Sequence, residues 1–187
     1  MARAEATAAT QRNPGYRGLR GWLEQVDKLG ELERVSGASW DAEMGGLTQM
    51  LTENSRGNAP ALLFDDVPGY PKGYRTLYGQ LSSIRRIALT LGLPLEYQRK
   101  VDIVQRYHER MADMKPLKPR FVNDGPVFEN VIEGDKIDVL KFPVPRHHEA
   151  DTSRFIGTAC AVVTKDPDDG WFNLGAYRSQ VYDGKTV

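Results

Sequence analysis

Two prolines fall within four residues in Lys115-Pro116-Leu117-Lys118-Pro119. Proline fixes its own φ, lacks an N–H and disfavours a helical residue before it, so no helix or central strand is expected to cross this segment. It is the best internal boundary of the 187-residue chain, and the residue pattern changes across it. Upstream, helices mix with short strands. Leu19, Trp22, Leu23, Val26 and Leu29 recur at helical spacing, with Gly30 where a C-terminal cap belongs. Glu31 to Val35 alternates like a half-buried strand. A second helix is expected from Asp41, carrying Met44, Leu47 and Leu51, although Gly45 and Gly46 lower its propensity. Pro60 precedes the apolar run Ala61 to Phe64, a buried strand closed by Asp65-Asp66-Val67-Pro68-Gly69. Tyr74 to Tyr78 reads as a further strand. Ser82 to Leu91 reads as a helix with Ser82 as its N-cap and Gly92 beyond its end. Glu96 to Met114 reads as a long polar helix whose apolar stripe is Val101, Val104, Tyr107 or His108, and Met111.

Downstream, Phe121 to Val187 has no helical period. Turn signals recur at Asn123-Asp124-Gly125, Glu133-Gly134-Asp135, Asp166 to Gly170 and Asp183-Gly184, a spacing of strands that suggests a β-barrel or sandwich. The fold class is therefore α+β. Residues 1–15 are expected to be a short disordered arm, 16–118 an N-terminal α/β domain, and 119–187 the first strands of a β domain. Ser179 to Val187 reads as a strand entering a hairpin turn. A domain does not normally stop with an edge left unpaired, so the chain is expected to be part of a longer one.

Composition excludes several classes of function. Lys and Arg number 25 and Asp and Glu number 25, so bulk charge points neither to nucleic acid nor to an acidic membrane. No apolar run reaches the roughly 18 residues of a transmembrane helix, and the N-terminus lacks the apolar core of a secretory signal. A soluble, cytoplasmic protein is expected. The single cysteine, Cys160, excludes an intramolecular disulfide or a multi-cysteine metal site within this chain. It lies in the apolar run Ile156 to Val163 and is expected to be buried and inert. His108 reads as a surface or boundary residue. His147-His148 with Glu149 and Asp151 superficially resembles a metal cluster, but adjacent histidines on an extended chain point apart. No Ser-His-Asp order, phosphate-binding glycine loop or zinc motif is present. The mixed charges from Glu96 to Lys118 fit a solvated helix face.

Asp151 to Tyr182 remains. It reads as a hairpin: a strand from Phe155 to Lys165, a turn through Asp166-Pro167-Asp168-Asp169-Gly170, and a return from Trp171 to Val181. Asn173 and Gly175 are poor strand formers on that return, and a strand glycine marks a bulge or the close approach of a ligand. Arg178 follows. A ligand-binding strand and an exposed hairpin with a surface arginine both fit this pattern. Asn173 and Arg178 are an odd number of residues apart, so a regular strand sends them to opposite faces. For both to serve one ligand the strand must twist or bulge between them, and Gly175 is the residue expected to permit it.

Pro145 to His148, Asp151, Arg154-Phe155-Ile156-Gly157-Thr158, Asp166-Pro167-Asp168, Asn173 and Tyr177-Arg178 together resemble the UbiD family of reversible decarboxylases. So do Tyr16-Arg17-Gly18-Leu19-Arg20, Leu29-Gly30-Glu31-Leu32 and Trp40-Asp41-Ala42-Glu43. The resemblance runs from about Tyr16 to Val187. It implies an N-terminal α/β domain, then a split β-barrel that binds prenylated FMN, and a homo-oligomer at full length. It implies removal, or in some members addition, of the carboxylate of aromatic or α,β-unsaturated acids. A flavin prenyltransferase would supply the cofactor.

Residue by residue, the resemblance makes Asn173 a ligand of the Mn²⁺ that ties the flavin phosphate to the protein, with K⁺ as a further candidate ion. Gly175, Ala176, Tyr177 and Arg178 correspond to the strand along which the cofactor lies, and Thr158 to a position near it. Arg178 corresponds to the catalytic arginine that orients the acid substrate and a partner carboxylate, a role in which a planar fork outperforms an ammonium. Two departures stand out. Thr152-Ser153 replaces the Gly-Gly or Asp-Gly that commonly follows the aspartate. The family's metal-binding His and Glu, and the acidic residues that protonate the product carbon, come later than Val187, and neither His147 nor His148 matches that ligand. The chain is thus expected to hold about half of the site and to be inactive alone. A short non-catalytic homologue acting as an assembly subunit is the rival reading.

Overall fold

The structure, a computed structural model, describes residues 15–97, 99–112, 114–115, 117–118, 120–158 and 160–187. The expected N-terminal arm, apart from Gly15, and both boundary prolines lie outside the described residues. The elements run α1 (Gly18–Lys28), β1 (Leu32–Ser36), α2 (Glu43–Asn54), β2 (Ala61–Asp65), β3 (Thr76–Tyr78), α3 (Ile84–Leu91) and α4 (Lys100–Ala112). After three short 3-10 turns come β4 (Arg154–Gly157), β5 (Ala161–Lys165), β6 (Phe172–Ala176) and β7 (Ser179–Val181). One three-stranded sheet has the order β1-β2-β3, and two two-stranded ladders pair β4 with β7 and β5 with β6. Two compact units arise, each from separated stretches of chain. Of the described residues, one takes in those up to Glu33, Leu51–Leu62 and those from Leu77 to Lys118, and the other Arg34–Met50, Leu63–Thr76 and those from Arg120 to Val187.

In the first unit α1 turns Trp22 and Val26 inward, and the Trp22 indole N–H donates to Thr90 Oγ1 at 3.0 Å. The α3 N-cap is Ser83, one residue later than expected, and its Oγ accepts from Arg86 N at 3.1 Å. Gly92 ends α3 in the left-handed region at φ 64°, where glycine bears no Cβ penalty. The α4 stripe read from sequence is the wrong one. Val101, Val104, Tyr107 and Met111 are exposed, whereas Ile103 is buried and packs with Ala88 and Leu93. Arg110, two turns further along the Ile103 face, donates to the last carbonyl of α3, Leu91 O, at 2.6 Å. That cap and Ile103 together select the docked face.

Arg86 on α3 is wholly buried. Its guanidinium donates to the carboxylate of Glu31 (2.8 Å), to the carbonyls of Gly79 (3.0 Å) and Gln80 (3.3 Å), and to that of Ala59. Ser83 Oγ donates to the same Glu31 oxygen. A cation out of water needs such a set, and here loop carbonyls supply most of it.

In the second unit Ala38, Met44, Leu63, Phe64, Val67, Val144 and Val181 are buried. Pro143 to Arg146 is stitched to Trp40–Ala42: Arg146 N donates to Trp40 O (3.0 Å) and Ala42 N to Arg146 O (2.9 Å). The Arg146 guanidinium pairs with Asp41. Gly45, which only weakened α2 in the sequence, has a packing reason, because a Cβ there would run into the backbone carbonyl of His147. Arg154 lies 3.9 Å over the Trp40 ring and donates to Val144 O at 2.6 Å and to the Tyr70 hydroxyl. No strand occurs among the described residues of 120–153, contrary to the turn-spacing argument. Asn123–Gly125 and Glu133–Asp135 do turn, but they lead into the 3-10 turns Pro126–Phe128 and Gly134–Lys136. Proline and glycine at those turns interrupt any ladder. No closed barrel is present among the described residues.

Candidate functional site

The hairpin expected from Phe155 to Val181 forms, but as two ladders with an interruption between them. The β5–β6 ladder is regular and pairs Thr164 with Asn173, Val162 with Gly175 and Ala161 with Ala176. Beyond it, β4 meets β7 through Gly157–Ser179, Phe155–Gln180 and Arg154–Val181, with an irregularity between Phe155 and Gly157. Continuing the first register would oppose Phe155 to Tyr182. Its partner is instead Gln180, so the outgoing strand holds more residues than the returning one. The chain between Asn173 and Arg178 does break regularity as expected. The break falls at Tyr177–Arg178, and Gly175, expected to supply it, sits in the regular ladder.

Gly175 has a different reason to be glycine. A Cβ there would lie against the ring of Tyr177, which folds back over the Asn173–Gly175 face of β6. There the Asn173 amide Nδ2 donates to the Tyr177 hydroxyl at 3.2 Å. The amide oxygen accepts nothing among the described residues. Cys160 stands across the interruption from Tyr177. Cys160 is half-buried, not buried as expected, and its Sγ–H donates to Tyr177 O at 3.2 Å. An interrupted ladder leaves its side chains less covered than a continuous one.

Arg178 leaves the ribbon in another direction. Its Cζ lies 3.6 Å from the centroid of the Phe155 ring and its Nη2 lies 3.5 Å from Asp151 Oδ1. The other Asp151 oxygen accepts the backbone N–H groups of His147 (3.2 Å) and His148 (3.0 Å). Burial pushes the Asp151 carboxyl up, but the His148 N–H, the Arg178 charge and the His147 N–H together hold it below the ordinary carboxylate value. His147 stacks on Phe155, ring centroids 6.3 Å apart. Its pKa is drawn down, first by burial and then by the Arg178 charge.

The site residues thus fall into two groups. Asn173, Gly175 and Tyr177 share one face of β6, and Arg178 joins Asp151, Phe155 and His147. No direct bond joins Asn173 to Arg178 among the described residues. Ala176 is exposed at the end of β6 and Thr158 is exposed beside the break. Asp151 and Phe155 had no assigned role in the sequence reading. The described residues contain no group of three His, Cys, Asp or Glu able to hold a metal, and no helix among them is long and apolar enough to cross a membrane. An open groove of roughly 740 Å³, lined by Tyr74, Phe142 and Ile156 among others, touches none of the expected site residues.

Two consecutive domain families match this chain. The 3-octaprenyl-4-hydroxybenzoate carboxy-lyase N-terminal domain matches residues 23–111, and the Rift-related domain of the same carboxy-lyase matches residues 120–187. The chain belongs to the UbiD family. It is 33% identical to the pyrrole-2-carboxylic acid decarboxylase of Pseudomonas aeruginosa, in an alignment that covers 90% of this chain and 35% of that protein. It is 32% identical to the phenolic acid decarboxylase of Streptomyces sp. (strain D7), covering 89% of this chain and 35% of that one. Among solved structures, the vanillic acid decarboxylase of Sedimentibacter hydroxybenzoicus in closed form superposes with a TM-score of 0.77 at 30% identity, over 90% of this chain and 36% of that one. The UbiD-class enzyme HmfF from Pelotomaculum thermopropionicum, in complex with FMN, gives 0.68 at 27% identity, over 88% and 34%. The chain therefore spans about a third of the length of the relatives it matches.

Proposed function

We propose that this chain is the N-terminal portion of a cytoplasmic carboxy-lyase that uses prenylated FMN to decarboxylate, reversibly, aromatic or α,β-unsaturated acids. The observation that carries the reading is the state of Arg178. Its guanidinium is half-exposed, seated on an aromatic ring and engaged by a single carboxylate oxygen, so most of its five N–H donors remain for a substrate carboxylate. The two domain families support a division of the chain near Lys115 to Pro119, with 16–118 as an α/β domain and 119–187 as the opening strands of a split β-barrel.

The residues suit the cofactor in part. The Asn173 amide oxygen is the kind of ligand that Mn²⁺ takes, and it would be one of about six. K⁺ would bind beside it through oxygens of the same kind. Gly175, Ala176 and Tyr177 would border the flavin, with Thr158 across the break. Prenylated FMN, made by a flavin prenyltransferase, would supply the covalent chemistry with the substrate. Arg178 would bind the carboxylate and orient it, in an enzyme that assembles as a homo-oligomer.

Arg178→Lys and Asn173→Ala separate these roles in full-length protein purified with cofactor. Arg178→Lys should retain flavin absorbance and lose most turnover, on the order of 10²-fold or more, because a point charge cannot replace two parallel N–H donors. Asn173→Ala should lose the flavin itself. Near-normal decarboxylation by Arg178→Lys would remove the catalytic assignment, and no decarboxylation by the unaltered protein with bound cofactor would favour a non-catalytic homologue.

A further inference from the structure

Arg178, though half-exposed, lies between a carboxylate and an aromatic ring. Asp151, which reaches its Nη2, cannot follow the arginine about. The other Asp151 oxygen is fixed by the N–H groups of His147 and His148, and its side chain is only 16% exposed. The segment bearing those N–H groups is itself anchored. Arg146 is paired with Asp41 and bonded to the backbone on both sides of it, and α2 presses Gly45 against the His147 carbonyl. Phe155, beneath the guanidinium, is held by its N–H to Pro145 O at 2.9 Å and by the His147 ring. One carboxylate oxygen and one ring face therefore meet the guanidinium from supports that are themselves held in place. Nε and Nη1 have no partner among the described residues.

We propose that Asp151 and Phe155 form a fixed mount for Arg178, with Asp151 as a positioning residue that sets the fork before a carboxylate ligand arrives. The role of that fork in decarboxylation rests on the function proposed above; the mount itself does not. Order prepared in advance is the main contribution such a residue can make, since a reacting group misplaced by about 1 Å can lose on the order of 10²-fold in rate. Asp151 also offsets part of the Arg178 charge. Its loss should leave carboxylate binding equal or tighter while orientation suffers.

The test uses the 187-residue chain labelled with ¹⁵N-arginine, with the Arg178 Nε–H signal assigned by its absence in Arg178→Lys. In Asp151→Asn the amide oxygen can still accept the His147 and His148 N–H groups, so the loop keeps its backbone bonds, while the charge that faces Arg178, and His148 Nδ1 at 3.6 Å, goes. The heteronuclear NOE of Arg178 Nε should be close to backbone values in the unaltered chain. It should drop to that of exposed arginines in Asp151→Asn, with the His147 and His148 amide shifts little changed. Phe155→Leu, which touches none of the Asp151 bonds, should produce a smaller drop, and it decides the matter if Asp151→Asn displaces the loop. An Arg178 NOE unchanged in the Phe155 variant and in a correctly folded Asp151 variant overturns the mount. In cofactor-loaded protein Asp151→Asn should lower kcat by on the order of 10- to 100-fold with KM unchanged or reduced. Equal losses in kcat and thermal stability, with KM raised, would mark a merely structural aspartate. An ordered Arg178 in a full-length, cofactor-loaded protein without decarboxylase activity would sink the proposed function and leave the mount standing.

Discussion

His147 makes the candidate site sensitive to acid. Burial and the nearby Arg178 charge lower its pKa from the ordinary 6.5, against the pull of Asp151. The folded chain therefore prefers the neutral ring, and the unfolded chain binds the proton first as pH falls. Stability from this residue is complete above about 6.5 and is lost as pH falls through that value toward the folded pKa. His147→Phe keeps a ring against Phe155 but has no proton to take. Urea midpoints measured between about pH 7.5 and pH 5.5 should fall less steeply in that variant; parallel curves would refute the assignment. The same neighbourhood shows how much of the site could be read from residue types. Asn173 and Arg178 stood out because each is odd in a strand. Asp151 drew notice only beside the two histidines, and His148 Nδ1 does lie 3.6 Å from it; its other partners are two backbone N–H groups, which carry no residue identity, and Arg178, far along the chain. Gly175 was noticed for a conformation it does not need. Its reason is the ring of Tyr177, which only the folded arrangement reveals.

At the level of elements, α3 depends on Arg86. Removing its guanidinium takes a donor from the carbonyls of Ala59, Gly79 and Gln80 and leaves Glu31 with the Ser83 hydroxyl and the half-exposed Arg85 at 3.2 Å. Arg86→Met should cost about 3–5 kcal/mol in chemical denaturation, whereas Arg85→Ala should cost less than about 1 kcal/mol. Similar losses for the two would show that Arg86 is not the anchor. Local chemistry made the ends of elements legible: Gly30 and Gly92 close α1 and α3 where expected. What periodicity could not supply was which face of α4 docks. Its two candidate stripes are both partly apolar, and the choice rests on Ile103 meeting α3 and on Arg110 finding the Leu91 carbonyl. A buried arginine is equally invisible to hydropathy, because its partners are loop carbonyls distant in sequence. Between residues 120 and 153 turn signals were real but did not imply the strands between them.

Across the whole molecule, charge and surface point the same way. The formal net charge is +0, so nothing repels one copy from another. The outer face of the β5–β6 ladder exposes Val163 (65%), Phe172 (63%) and Leu174 (69%) side by side, the kind of contiguous apolar surface that associates. The chain should therefore self-associate near neutral pH in sedimentation velocity, and Val163→Lys with Leu174→Lys should shift it toward monomer. A monomer at every concentration would contradict this. Gly45 carries a consequence of another kind. It lies about a hundred residues before the loop it supports, and any side chain there would strike the His147 carbonyl. In a saturation library screened for turnover, position 45 would tolerate almost no replacement, although it meets no ligand. Substitutions at the exposed neighbour Gly46, where a Cβ meets open space, would pass freely. A ranking by sensitivity alone would mistake Gly45 for part of the chemistry, and only a variant that keeps its fold while misaligning Arg178 would reveal the difference.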